Sequence, residues 1–249
     1  MNPIFLQTLY LIGGAIVLPF LPFLFWQGKR VRKKVGRLPD ATGETVGQFG
    51  NFEKTLNLLA IGESTVAGVG AKTHTEALAG QLAKFLSFET EKSVRWHALG
   101  ESGITARETL ERLVPHLPAT EMDLVVIGLG GNDTFKVNSP ERWRRDITKI
   151  IETLREKYPK AAILLANSPR VIDFPALPQP LKFILWRVSQ FQHSVGKSLT
   201  NTSQNVFYFD ETETVDERFF SDGVHPSEYG YALWSEAMIK FLLKKTASL

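Results

Sequence analysis

A short apolar run leads directly into a turn at Leu58-Leu59-Ala60-Ile61-Gly62-Glu63-Ser64-Thr65. The apolar half is continuous, as in a strand that is buried on both faces of a sheet. A turn of this kind holds its serine rigidly at the end of a core strand and facing solvent, which suits a nucleophile. The alternative is an ordinary connection between a strand and a helix, and later segments of the chain decide between the two.

The composition indicates a globular protein with one large core. The chain has 249 residues, of which 43% are hydrophobic and 22% are charged. The formal net charge is +3, but six basic residues lie between Lys29 and Arg37, and the rest of the chain is slightly acidic. Such a local cluster argues against a nucleic-acid-binding domain. The absence of cysteine excludes disulfides, thiolate metal sites and a cysteine nucleophile.

Residues 3–26 are almost entirely apolar. A helix of this length, at a rise of about 1.5 Å per residue, spans a hydrocarbon core of about 30 Å. Pro19 and Pro22 are expected to kink or end it. A cleaved signal peptide is the alternative, but no basic residue precedes the run and no small-x-small site follows it. We therefore predict a transmembrane anchor over residues 1–28.

A basic cluster at residues 29–37 follows the apolar run directly. Such clusters lie on the cytoplasmic side of membrane helices, and each residue near the surface adds about 1 kcal/mol of attraction to anionic headgroups. The sequence thus predicts a single-pass membrane protein whose C-terminal part is cytoplasmic. We expect residues 29–53 to be a basic juxtamembrane linker and residues 54–249 to be one folded domain.

Beyond Lys54, apolar strand-like runs alternate with amphipathic helical runs. The helical runs carry capping signals, such as Thr105 with Glu108 three positions later, and Ser139 before Pro140. Apolar strands separated by helices indicate a parallel sheet that is covered on both faces, in an α/β fold. The five predicted strands are Leu56–Ile61, Val94–Leu99, Leu124–Leu129, Ala161–Ala166 and Val206–Phe209.

Four short segments carry residues suited to catalysis, at the strand ends where parallel sheets bind ligands or just before the last helix. Glycines there leave backbone N–H groups free, and the Asn132 amide can donate to a developing oxyanion. Asp222 and His225 can place a carboxylate against an imidazole that takes the proton of Ser64. Each segment alone is also explained as an ordinary turn. The segments are Gly62-Glu63-Ser64, Gly100-Glu101-Ser102-Gly103-Ile104-Thr105, Gly128-Leu129-Gly130-Gly131-Asn132-Asp133 and Asp222-Gly223-Val224-His225-Pro226.

Together the four segments resemble the sequence blocks of the SGNH hydrolase superfamily, also called GDSL esterases and lipases, in the same order. The resemblance implies a flavodoxin-like three-layer α/β/α fold. It implies Ser64 as nucleophile, His225 as general base and Asp222 as the residue that orients the histidine. It further implies an oxyanion hole made by the backbone N–H groups of Ser64 and Gly103 and by the side chain of Asn132, with no metal and no cofactor.

This chain departs from the family pattern at one place. Glu63-Ser64-Thr65 stands where Asp-Ser-Leu is usual. Since the acidic residue supports the loop in the family, we expect Glu63 to keep that role with a shifted hydrogen-bond network, and not to carry protons.

The expected activity is hydrolysis of carboxylic esters through an acyl-enzyme on Ser64, by an enzyme anchored in a membrane. Closeness to lipid favours lysophospholipid-type or other lipophilic acyl esters. Residues 174–178 and 183–186 are candidates for a lid or an acyl-chain wall, although simple packing of a helix on the sheet is the favoured explanation. The alternatives are a carbohydrate O-deacetylase of the same fold, with a more polar cleft, and a non-catalytic membrane-tethered binding module.

Overall fold

A six-stranded β-sheet forms the centre of the computed structural model, which describes residues 3–167, 170–200, 204–211 and 215–246. The strands are β1 (Val46–Phe49), β2 (Thr55–Gly62), β3 (Ser93–Gly100), β4 (Leu124–Gly128), β5 (Ala162–Leu165) and β6 (Val206–Tyr208). Their order across the sheet is β1-β3-β2-β4-β5-β6. Strands β2 to β6 are parallel, as predicted, and β1 pairs antiparallel with β3 at one edge.

Helices cover both faces of the sheet, which confirms the three-layer α/β/α architecture. They are α1 (Pro3–Val17), α2 (Leu21–Val35), α3 (Leu78–Thr90), α4 (Ala106–Arg112), α5 (Gly131–Phe135), α6 (Pro140–Lys157), α7 (Leu181–Leu199) and α8 (Glu228–Lys245). Helices α3 and α8 pack on one face, and α4, α6 and α7 pack on the other. The predicted capping box of Thr105 and Glu108 is present at the start of α4, and Ser139 caps α6.

The segment predicted as a linker, residues 29–53, is largely ordered structure. Its beginning belongs to α2, which continues to Val35, and its end contributes the sixth strand, β1. Gly47 of β1 lies opposite Trp96 of β3, where an added Cβ would be 2.5 Å from the indole ring. The glycine is there because the indole covers the strand at that point, and periodicity gave no sign of this tertiary contact.

Three strands end on a glycine at the same register. Gly62 of β2 pairs with Gly100 of β3 on one side and with Gly128 of β4 on the other. A Cβ on Gly62 would lie 2.0 Å from the Gly128 carbonyl oxygen, so no side chain fits there. The close approach brings together the three loops that follow these strands.

The first two helices pack against the outside of α7 and run antiparallel to it. A 3₁₀ turn at Leu18–Phe20 separates them. Near the start of α1, Leu6 is buried against Val195, and further along the Tyr10 ring lies edge-on to Phe191 with 6.1 Å between centroids. Of the described chain, the stretch Pro3–Val35 is long and apolar enough to cross a membrane, and only 6% of its most apolar window is buried.

The contrast between two neighbouring side chains of α3 tests the packing of the core. Leu86 is fully buried beneath the sheet, whereas Phe88 is 79% exposed. We expect Leu86→Ala to lower the free energy of unfolding by about 2–5 kcal/mol, because it leaves a cavity. Phe88→Ala, the matched control, should change it by less than about 0.5 kcal/mol. Urea titration followed by circular dichroism measures both, and equal effects would contradict the packing.

Candidate active site

Ser64 lies in a tight turn directly after β2. The carbonyl oxygen of Glu63 accepts hydrogen bonds from the backbone N–H groups of Val66 and Ala67, at 2.8 and 3.0 Å. The carbonyl of Ser64 itself accepts from Val69, at 3.0 Å. These bonds hold the half-buried serine in place, while its own N–H has no hydrogen-bond partner in the described chain. The turn therefore presents a hydroxyl and a free backbone donor on the same residue.

Gly103 supplies a second free backbone donor, in the loop after β3. Its φ of +87° lies in the left-handed region, which explains why a glycine stands there. An added Cβ would meet nothing within 4 Å, so the surroundings are open. Within the residues that the structure covers, the Gly103 N–H makes no hydrogen bond.

The carboxylate of Glu63 joins the loop after β2 to the loop after β4. It is 6% exposed and accepts hydrogen bonds from the backbone N–H groups of Gly131 and Asn132, at 2.6 and 2.8 Å. It also accepts from Asn132 Nδ2, at 2.5 Å. Burial raises the pKa of Glu63 to about 7, against the lowering effect of the two backbone hydrogen bonds. These contacts are those of a loop support, as we expected.

Asn132 uses both hydrogens of its amide in this state. Nδ2 donates to Glu63 Oε2 and to the Ile104 carbonyl oxygen, the latter at 3.0 Å. Donation to an oxyanion therefore requires one of these bonds to be exchanged. The bond to Ile104 is the one to exchange, because a bond to a carboxylate is charge-assisted and stronger.

The imidazole of His225 is held by Asp222 on the loop before α8. His225 Nδ1 and Asp222 Oδ2 are 2.7 Å apart, and Asp222 Oδ1 accepts from the backbone N–H groups of Val224 and His225, at 2.9 and 2.7 Å. Burial by itself would raise the pKa of Asp222, but the hydrogen bonds from His225 outweigh it and lower that pKa. Asp222 is thus a carboxylate that holds the orientation of the His225 ring through its Nδ1 atom.

Close packing between loops brings the histidine loop to the serine loop. Gly70, which has φ +97°, ends the serine loop, and an added Cβ there would be 2.1 Å from the Pro226 carbonyl oxygen. The structure thereby places Ser64, Gly103, Asn132 and His225 along one cleft of about 2350 Å³. No hydrogen bond joins Ser64 to His225 among the described residues. Such contacts are often loose before substrate binds.

One wall of this cleft comes from residues 174–186, which the sequence offered as a candidate lid or acyl-chain wall. Phe174, Leu177 and Leu185 are buried in a small core there, Phe183 is half exposed, and all four line the cleft. The opposite wall comes from α1 and α2, which the sequence presented only as an anchor. The available signals were polar residues in and just after the apolar run, of which Gln7, Tyr10 and Gln27 all bond to the catalytic domain.

The ionisation of Glu63 provides a test of the buried support. Because its folded-state pKa lies near 7, above the usual value of 4.5, Glu63 favours the folded state at low pH. That contribution is lost as the pH rises through about 7. Between pH 4.5 and about pH 7, we expect the free energy of unfolding to fall less in Glu63→Gln than in wild type. Urea unfolding across this pH range measures the difference. Identical pH slopes in the two proteins would contradict the buried, titrating carboxyl.

Comparison with known proteins finds one family profile and several solved structures that are similar to this chain. A sequence profile described as the GDSL-like Lipase/Acylhydrolase family matches residues 60–233. The crystal structure of TesA is 24% identical, with a TM-score of 0.59 and coverage of 76% of this chain and 98% of that one. The lipase Lip_vut3 from a goat rumen metagenome is 19% identical, with a TM-score of 0.61 and coverage of 75% of this chain and 97% of that one.

A family two carbohydrate esterase from Clostridium thermocellum, in complex with cellohexaose, is 15% identical with a TM-score of 0.58, over 80% of this chain and 66% of that one. No curated protein sequence matches the chain. The structural likenesses, at these identities, concern the fold, whereas the sequence profile covers more than half of the chain. The chain belongs to the GDSL-like lipase/acylhydrolase family.

Proposed function

We propose that this hydrolase is a membrane-attached serine esterase that cleaves lipophilic carboxylic esters through an acyl-enzyme on Ser64. The observation that carries the proposal is the large cleft with apolar walls, which opens directly onto Ser64 and His225. Single-chain lysophospholipid-type esters fit this description, because they present one acyl chain and one ester carbonyl.

The proposed reaction uses five residues. Ser64 Oγ attacks the acyl carbonyl carbon while His225 Nε2 takes its proton, and Asp222 stabilises the imidazolium. The N–H groups of Ser64 and Gly103 and the released amide hydrogen of Asn132 hold the oxyanion. His225 then gives the proton to the departing alcohol. Water, deprotonated by His225, cleaves the acyl-enzyme and regenerates Ser64.

The shape and chemistry of the cleft bear on the two alternatives. A carbohydrate O-deacetylase calls for a shallow polar cleft, whereas leucines and phenylalanines such as Leu181, Phe183 and Phe220 line this one. A non-catalytic binding module would have no need for the 2.7 Å contact between Asp222 and His225. The lipophilic ester hydrolase is therefore the better supported function.

Membrane attachment through residues 3–26 is part of the proposal. The support is the row of large apolar side chains that α1, α2 and the turn between them expose outside the cleft, among them Ile4, Phe20 and Trp26, each more than 50% exposed. Packing along α7 supports attachment by the outward face of the helices, in place of the predicted single pass. The basic cluster at 29–37 would meet anionic headgroups, and the cytoplasmic side remains a prediction from the charge asymmetry.

Covalent labelling tests the nucleophile. We expect a fluorophosphonate probe to label the folded protein once, at Ser64, and Ser64→Ala to lose both labelling and nearly all turnover. Ser102 is the matched control, because it lies next to Gly103 but donates its hydroxyl to Asp40. Ser102→Ala should still be labelled. Absence of labelling in folded wild-type protein would favour the binding module.

A panel of acyl esters of graded length tests the substrate class. With full-length protein in detergent micelles, kcat/KM should rise with chain length, by up to about fourfold for each methylene group that becomes buried. A preference for acetyl esters, with no activity on long chains, would instead support the O-deacetylase.

A further inference from the structure

The N-terminal helix pair, defined as Pro3–Val35, faces the catalytic domain across the cleft. Its first part contacts α6 and α7, its last part contacts α7, and the side chains between these contacts are mostly exposed. The gap left by this arrangement is continuous with the space in front of Ser64 and His225. At about 2350 Å³ the cleft exceeds the roughly 300–1,000 Å³ of ordinary small-molecule sites, so it has room for a complete single-chain lipid.

Specific contacts fix both ends of the helix pair. At the α2 end, Gln27 is only 6% exposed, and its side chain donates to the Gln179 carbonyl oxygen at 2.8 Å and accepts from the Leu181 N–H at 3.3 Å. At the α1 end, the Tyr10 hydroxyl donates to the Val137 carbonyl oxygen at 2.6 Å. A helix with no role beyond insertion in lipid has no need for a buried glutamine that bonds to the start of α7.

We infer that the N-terminal helix pair is one wall of the acyl-chain site, so that the membrane-attachment segment and the substrate cleft are parts of one structure. The inference rests on the proposed esterase function. The occupant is the acyl chain of the ester, because the cleft is apolar along the helix pair and ends at the group that attacks its carbonyl. A chain leaving the bilayer along the outward apolar face passes directly into this gap.

Three glycines leave the wall open. Gly13, Gly14 and Gly28 line the cleft, and an added Cβ at any of them would meet nothing within 4 Å. Glycine inside a helix is unfavourable relative to alanine, so a larger residue at these positions fills the cleft without weakening the helix. They are therefore the positions at which acyl-chain length can be changed without touching the catalytic residues.

Filling the cleft from the helix side is the first test. In full-length protein, Gly28→Trp should lower kcat/KM for palmitoyl esters by about tenfold or more and leave acetyl esters within about twofold of wild type. Gly28→Ala should stay close to wild type on both. Equal losses on short and long esters, or no loss on either, would overturn the proposal.

Two phenylalanines of α2 give a matched pair. Phe25 lines the cleft and Phe23 does not, although both are exposed, by 66% and 48%. Removing either ring costs the protein similar affinity for a membrane. We expect Phe25→Ala to lower kcat/KM for palmitoyl esters about 3- to 10-fold relative to acetyl esters, and Phe23→Ala to preserve the ratio. An equal change of the palmitoyl-to-acetyl ratio of kcat/KM in both variants would assign the effect to membrane binding. That result would overturn the inference that the helix pair is a wall of the site.

Cross-linking tests whether the helix pair stays docked in a membrane. The chain has no cysteine, so introduced pairs are unambiguous. Gln7 lies beside Glu141, whose N–H is 3.4 Å from Gln7 Oε1. A short bismaleimide should join Gln7→Cys to Glu141→Cys in intact membranes, whereas Gln7→Cys with Phe88→Cys, on the other face of the sheet, should stay unlinked. No link in the first pair would show that α1 leaves α6 and the catalytic domain, and would overturn the inference.

Failure of the inference and failure of the esterase proposal give different results. Suppose that the enzyme is labelled at Ser64 and hydrolyses long esters, but the Gly28 and Phe25 variants show no chain-length effect. Then the helix pair is not a wall of the acyl-chain site, and the esterase function is retained. If wild-type protein hydrolyses no ester and takes no label, the esterase is wrong, whatever the cross-linking shows.

Discussion

The carboxylate of Glu63 connects the two loops on which the site depends. Glu63 lies in the turn directly after β2, and its carboxylate accepts hydrogen bonds from three N–H donors of Gly131 and Asn132, which begin α5. Three donors converging on one buried group favour the carboxylate form, while burial pulls the pKa of Glu63 up to about 7. Glu63 Oε2 accepts from the Asn132 side chain as well as from its backbone. The Asn132 amide, which we propose as an oxyanion donor, is therefore bonded on both hydrogens in this structure.

Glycines make this connection geometrically feasible. Gly62, Gly100 and Gly128 lie side by side at the carboxyl edge of the sheet, where a Cβ on Gly62 would strike the neighbouring strand. The loops thus begin closer together than strands with side chains would allow. Gly70 does the same between the serine loop and the histidine loop, so that residues more than 150 positions apart line one cleft.

The N-terminal helices α1 and α2 have two apolar faces with different surroundings. Their composition is that of a membrane anchor, and their outer face remains suited to lipid. Their inner face bonds to Val137, before α6, at one end and to Gln179, before α7, at the other. The 3₁₀ turn at Leu18–Phe20 lies between these two contacts, where the helices leave a gap. Hydropathy describes the length of such a segment but not its two faces, because both faces are apolar.

Local signals allowed much of the catalytic domain to be predicted. Apolar runs identified both ends of β2 to β6 within one residue. Thr105 and Ser139 cap the predicted helices, because capping depends on neighbours three positions away. Strand β1 could not be predicted, since its pairing with β3 and the packing of Gly47 under Trp96 are contacts between distant segments. The same reason hid the bond from Gln27 to Gln179.

The sequence by itself therefore determined the order of strands and helices, the four segments with chemistry-bearing residues, and the family resemblance. It determined these because each depends on spacing along the chain. Only the tertiary structure decided which donors are free at Ser64 and Gly103, that both Asn132 hydrogens are already bonded, and that the N-terminal helices face the cleft. Those features depend on distances between segments that lie far apart in sequence, and no periodicity or motif encodes such distances.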